Sequence, residues 1–154
     1  MNKVSELVKS PYWSGSHTKH RIVYHLVWIP KYRRRLLRGS ISKRLQELIE
    51  EACALNEWQI HELSIQLDHV HLLVQVQADD SAADVAQTLK GGTSRRLKQE
   101  FPQLQEFLWG KAFWARGYFG ESVGRINEEI IRKYIHDQSA QREQQSSAQG
   151  SLRL

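Results

Sequence analysis

The chain has 154 residues, 40% hydrophobic and 25% charged, a size and balance that fit one folded domain and exclude global disorder. Its 22 Lys/Arg outnumber its 17 Asp/Glu, and the excess is concentrated: residues 1–45 hold 11 basic residues against Glu6 alone, and the remainder 11 against 16 acids. The one cysteine, Cys53, excludes an internal disulfide and every thiolate metal cluster and suits a cytoplasmic protein, while no apolar run approaches a bilayer span or a signal-peptide core.

In chain order, residues 1–20 read as a loose basic arm. Residues 21–28 are β-branched and aromatic, apolar on both faces apart from His25, and predict a central strand stopped by Pro30. The densest basic piece follows: Lys31-Tyr32-Arg33-Arg34-Arg35-Leu36-Leu37-Arg38. With Tyr12, Trp13, Tyr24, Trp28 and Tyr32 nearby for base stacking, it points to nucleic acid; lacking an amphipathic helix period, it points away from a membrane. A solvated loop is the plainer alternative.

Ser40 or Ser42 is expected to cap a helix whose inward stripe is Leu45, Leu48, Ile49, Ala52 and Leu55. Residues 58–67 and 69–77 read as two strands with a turn near Asp68. Ser81-Ala82-Ala83-Asp84 resembles a capping box opening a short helix with Val85 and Leu89 inward. Gly91-Gly92 is expected to interrupt that helix within an acid-free stretch holding Lys90, Arg95, Arg96 and Lys98. Residues 113–123 alternate and are aromatic, which predicts another strand. Asn127, followed by Glu128 and Glu129, opens a last helix packing through Ile126, Ile130, Ile131 and Ile135. Residues 139–154 are poor in apolar side chains and read as a frayed tail. The order β-α-β-β-α-β-α predicts an α+β, ferredoxin-like (split βαβ) antiparallel sheet with helices on one face. An additional C-terminal helix carries Tyr134, and a single domain spans 21–138.

Two constellations carry chemistry. In Asp68-His69-Val70-His71-Leu72-Leu73-Val74-Gln75-Val76, alternate side chains share a face of the strand. Val70, Leu72, Val74 and Val76 form an apolar face, so His69 and His71 turn with Leu73 and Gln75 to the face the core leaves open. Their Cα atoms would lie roughly 7 Å apart, a spacing at which two imidazoles can converge on one cation. Two surface histidines are the plainer alternative. On the last helix Tyr134 and Gln138 are one turn apart. This is either a boundary tyrosine or a hydroxyl that can attack a phosphodiester, with an amide oxygen beside it for the same metal.

The segments Tyr24-His25-Leu26-Val27-Trp28-Ile29-Pro30-Lys31-Tyr32-Arg33-Arg34, Asp68-His69-Val70-His71-Leu72-Leu73-Val74, Leu89-Lys90-Gly91-Gly92-Thr93-Ser94-Arg95, Gly117-Tyr118-Phe119-Gly120-Glu121-Ser122-Val123-Gly124 and Tyr134-Ile135-His136-Asp137-Gln138 occur in this order. Together they resemble the small single-tyrosine HUH transposases of bacterial and archaeal insertion sequences, over about residues 20–138. The resemblance implies a ferredoxin-like protomer in an obligate dimer, acting on single-stranded DNA with hairpin ends. It implies that His69 and His71 are a metal pair, Gln138 the third ligand and Tyr134 the nucleophile that forms a 5′-phosphotyrosine. Gly124 would be a hinge through which the tyrosine helix serves the partner's histidines. Lys31, Arg33, Arg34, Arg35, Arg38, Lys90, Arg95 and Arg96 are the candidates for hairpin contact. Imidazole ligation suits Mn2+ and cellular abundance favours Mg2+, so both are expected metals. Three other readings compete: a non-catalytic ferredoxin-like single-stranded nucleic-acid-binding protein, a hydrolase using water, and another HUH nickase.

Overall fold

A computed structural model describes residues 12–15 and 17–151, with side chains as far as Gln145. Most of the predicted arm (residues 1–11 and 16) and residues 152–154 lie outside the described residues. A short hairpin of β1 (Trp13–Ser14) and β2 (Lys19–His20) leads into β3 (Ile22–Trp28). Then follow α1 (Gly39–Leu55), β4 (Gln59–Ile65), β5 (Val70–Val76), α2 (Ala82–Glu100), α3 (Gln103–Leu108), β6 (Phe119–Ser122) and α4 (Arg125–Ser151). The last four long strands form one antiparallel sheet in the order β4-β5-β3-β6. This is the ferredoxin-like arrangement predicted: each helical crossover skips one strand, and that strand fills the gap from the other side.

Alternation decides which residues face the core. Leu26 and Trp28 of β3 and Val70, Leu72, Val74 and Val76 of β5 pack against Leu45, Leu48 and Ile49 of α1 and Val85, Leu89 and Leu97 of α2. Each such burial stabilises the fold by about 1.5–3 kcal/mol. The opposite sheet face, expected to be open, is covered. α4 lies along β4 and β5, and its Ile135, with Ile131 beside it, packs on Val23, Leu73 and Val123. His71 and Gln75 are buried beneath it.

Several local expectations change. α1 begins at Gly39 after an extended Arg38, and no side chain caps it; Gly39, at φ +57°, turns the chain one residue before Ser40. Leu55 is 85% exposed because it lies six residues beyond Ile49, past the inward face, whereas Cys53, four residues on, is buried. α2 runs unbroken through Gly91-Gly92 after a genuine Ser81 cap, whose Oγ accepts from the Asp84 N–H at 3.1 Å. The glycine penalty of about 1 kcal/mol each is offset by Leu89, Thr93 and Leu97 buried on either side. The predicted strand 113–123 shortens to β6, since Phe113 and Trp114 enter the core and Trp114 bridges to Pro30. α3 was not anticipated. α4 continues to Ser151 through the predicted tail, whose Ala, Gln, Glu and Arg residues favour helix; Arg142 also donates to the Leu37 carbonyl at 2.7 Å. Ile126 and Ile130, predicted inward, are 90% and 68% exposed. Trp28 is in the core and Tyr24 packs against it, so neither is free to stack on a base.

Candidate active site

The register of β5 sets His71 opposite Val27 of β3 and Ser64 of β4, on the face beneath α4. His69 lies just before β5, two residues earlier, and the two rings stand edge-on with centroids 4.9 Å apart. Tyr134 descends from α4 onto the same chain's pair, its ring edge-on to His71 at 5.9 Å. One turn later, Gln138 Nε2 donates to the Tyr134 hydroxyl at 2.7 Å. Gln138 Oε1 is buried with no hydrogen-bond partner. An unmet buried acceptor costs about 1–3 kcal/mol, so the oxygen is a standing site for a cation or donor. All four residues singled out by the sequence thus come together.

Burial, reinforced by His69 and His25, pushes the His71 imidazole down from 6.5 to about 4, so it is neutral near pH 7. A neutral imidazole is the form that ligates metal. His69 donates from Nδ1 to Asp68 Oδ1 at 2.7 Å, and Arg33 Nε donates to the other carboxylate oxygen at 3.0 Å. Burial opposes ionisation of Asp68, but the His69 and Arg33 contacts outweigh it and hold the carboxyl below its usual range. His71 Nδ1 lies 3.2 Å from His25 Nε2, and His25 Nδ1 lies 3.2 Å from Glu121 Oε1. Asp68, His25 and Glu121 were missed by sequence reasoning. The signal available for His25 was its position as the one polar residue in an apolar strand.

No group of three or more His, Cys, Asp or Glu side chains arranged to hold a metal occurs among the described residues. The donor types present beside Tyr134 that suit a divalent cation are instead the two imidazoles of His69 and His71 and the unmet Gln138 oxygen.

The His71 shift predicts how the metal-free chain responds to acid. Its folded pKa lies below the unfolded value, so the unfolded chain binds more protons between the two. Stability is therefore full above about pH 6.5 and falls as pH drops towards about 4. Burial lowers His61 in the same direction. The urea midpoint should decline across this window, and His71→Asn should flatten the decline; an equal slope in the variant would refute the assignment.

α4 is held on the sheet by a buried polar network. Glu128 pairs with Arg21 and accepts from Arg132 Nη2 at 3.2 Å. Arg132 also donates to His61 Nδ1 at 2.7 Å, and His61 Nε2 donates to Gln75 Oε1 at 3.0 Å.

The arginine-rich loop faces α3 across a groove of about 850 Å³ lined by Arg34, Arg35, Arg38, Phe107 and Trp109. Arg34 stacks over Phe107 and Tyr32, with guanidinium-to-centroid distances of 5.4 and 5.5 Å, and Lys31 lies 5.6 Å from the Tyr32 centroid. Trp109 is 84% exposed. Lys90 differs from these cations: it donates to the Ala115 and Gly117 carbonyls at 2.8 and 2.7 Å, and burial lowers its pKa. Arg95 and Arg96 lie against α1, with Arg96 3.7 Å from Glu100.

Comparison with known proteins shows the family and the fold. A family model described as "Transposase IS200 like" matches residues 18–138. The chain is 33% identical over 119 residues to the ISDra2 transposase TnpA of Deinococcus radiodurans, covering 77% of this chain and 85% of that protein. It is 31% identical over 125 residues to a transposase for insertion sequence element IS200 of Salmonella typhimurium, covering 81% and 82%. Among solved structures, a protein from Deinococcus radiodurans described as a transposase superposes with a TM-score of 0.68 at 28% identity, covering 82% of this chain and 97% of that one. A REP-associated tyrosine transposase bound to a REP hairpin shares the fold, with a TM-score of 0.59 at 11% identity, covering 84% and 74%.

Proposed function

The chain belongs to the IS200-like transposase family, and from that premise we propose that it cuts and rejoins single-stranded DNA at insertion-sequence ends with Tyr134 as nucleophile. The observation that carries this reading is the Tyr134 phenol standing over His71 with its hydroxyl held by Gln138. The phenol oxygen attacks phosphorus, the P–O3′ bond breaks, and the products are a 5′-phosphotyrosine and a free 3′-hydroxyl. The phosphoester bond energy is kept in the link, so the reverse attack by a 3′-hydroxyl rejoins strands without a nucleotide triphosphate. Gln138 Nε2 orients the phenol, and Asp68 fixes the ring of His69. His69, His71 and Gln138 would hold a divalent cation, Mg2+ or Mn2+, which when bound would supply Lewis acidity to the scissile phosphate. Three neutral ligands would leave its full charge for the anionic substrate.

Hairpin recognition falls to the arginine loop and the aromatic wall of α3, where Arg34, Arg35 and Arg38 meet Phe107 and Trp109. The hairpin carried by the REP-associated neighbour supports that reading. Lys31 and Arg33 extend the same basic surface, and Arg95 and Arg96 supply a second one. A homodimer is supported by the β6 edge, whose four residues are all exposed, and by exposed Ile126 and Ile130. Gly124, whose carbonyl accepts from Asn127 and Glu128 at 3.2 and 3.1 Å, sits where α4 would pivot towards a partner.

The test is an adduct gel. Single-stranded hairpin oligonucleotides with Mg2+ or Mn2+ should give a covalent protein–DNA band that survives denaturant, duplex of the same sequence should not, and EDTA should abolish the band. Binding without an adduct under either metal sinks the proposal in favour of a binding protein, and released ends with turnover sink it in favour of a hydrolase.

A further inference from the structure

The side chains behind His71 form a line that reaches from the buried site to the sheet edge. Glu121 of β6, with its side chain 47% exposed, meets His25 of β3, and His25 meets His71 of β5. The β3 register sets His25 directly between Glu121 and Leu73. The two imidazoles lie nearly parallel, 15° apart with centroids at 5.5 Å, which leaves their facing nitrogens in contact rather than their ring faces. Both rings are buried, at 7% and 8% exposure, so water does not compete for those nitrogens.

We propose that Glu121 and His25 are positioning residues, a carboxylate–imidazole relay that fixes the tautomer and orientation of His71 for cation binding. The proposal rests on the reading of His71 as a metal ligand. Its logic is a count of donors. An ionised carboxylate only accepts, so the His25 nitrogen facing Glu121 is Nδ1–H. A neutral imidazole has one N–H, so His25 Nε2 carries a lone pair and accepts from His71 Nδ1–H. His71 Nε2 is then left with its lone pair outward, in the form a metal requires. Which nitrogen of a ligating histidine is free is set by the bond its other nitrogen makes. His69 reaches the same state by a shorter route, donating from Nδ1 directly to Asp68. His71 lies two residues further along, inside the sheet, and takes its carboxylate through a second imidazole.

Gly120, next to Glu121, brings β6 close enough for this. A Cβ there would lie 2.8 Å from the Tyr118 ring and 3.2 Å from Leu26. A side chain at 120 would displace the Tyr118 ring and crowd Leu26 on the adjoining strand.

Two measurements on the full chain decide the matter. In the metal-free protein, long-range proton–nitrogen NMR should show His71 protonated on Nδ1 and bare on Nε2. A His71 protonated on Nε2 would overturn the relay whether or not the chain proves to be a transposase. Mn2+ affinity, read by electron paramagnetic resonance, should weaken about 10–100-fold in Glu121→Ala and in His25→Phe, while Glu121→Gln, which keeps an acceptor oxygen, should recover part of the loss. Hairpin-oligonucleotide binding in EDTA should be unchanged in all three. Mn2+ affinity within twofold of the parent in both Glu121→Ala and His25→Phe would overturn the proposal. An absence of Mn2+ binding in the parent chain would overturn the metal reading on which the relay rests, and the NMR result would still stand separately.

Discussion

Tyr134→Phe should leave hairpin binding unchanged and eliminate the covalent adduct, a loss on the order of 10⁴-fold or more in strand cleavage. The phenylalanine ring can keep the edge-on contact with His71, so the helix should stay docked. Tyr134 is 54% exposed, and its removal takes little apolar area from the core. What disappears is one oxygen, the atom that would bond to phosphorus. The same substitution frees Gln138 Nε2, whose partner is that hydroxyl. A Tyr134→Phe chain that still forms the adduct would reassign the nucleophile and leave no role for the geometry of α4.

Glu128→Ala should lower stability by about 3–5 kcal/mol, because it removes one partner from a buried ion pair and leaves the others uncompensated. Arg21 and Glu128 have side-chain exposures of only 8% and 10%. Truncation strands the Arg21 guanidinium in a buried setting and deprives Arg132 of its carboxylate acceptor. The loss should concentrate at the α4–sheet contact. Hydrogen exchange should rise in α4 and little in α1 and α2, and the thermal midpoint should fall on the order of 10 °C. A uniform rise, or a change under about 1 kcal/mol, would show that the network does not hold the helix.

The sheet was legible because a strand advertises its faces. Val70, Leu72, Val74 and Val76 alternate with His71, Leu73 and Gln75; the first set fills the core as that pattern implies, whereas the second, expected to be open, is covered by α4. The placement of His69, His71, Tyr134 and Gln138 followed from the same periodicities and from the resemblance to a known family. The docking face of α4 was not legible. Four isoleucines compete for the inward stripe, and the sheet selects Ile131 and Ile135 because Arg21, His61 and Gln75 offer polar partners to Glu128 and Arg132. Contacts such as Arg21 with Glu128, 107 residues apart, or His25 with His71, 46 apart, leave no trace in local spacing. α3 was missed because six residues give too little period to read.

The unbroken length of α4 has a mechanical consequence. Twenty-seven residues of helix make a rod about 40 Å long, and Tyr134, ten residues beyond Gly124, rides about 15 Å from that end. A tilt of about 10° at the glycine would carry the phenol sideways by about 2.6 Å, close to the length of the hydrogen bond that orients it. The rod amplifies small angular errors, and it is braced on both sides of the tyrosine, by Glu128 before it and Arg142 after it. Aim, more than chemical reactivity, is what those two braces govern.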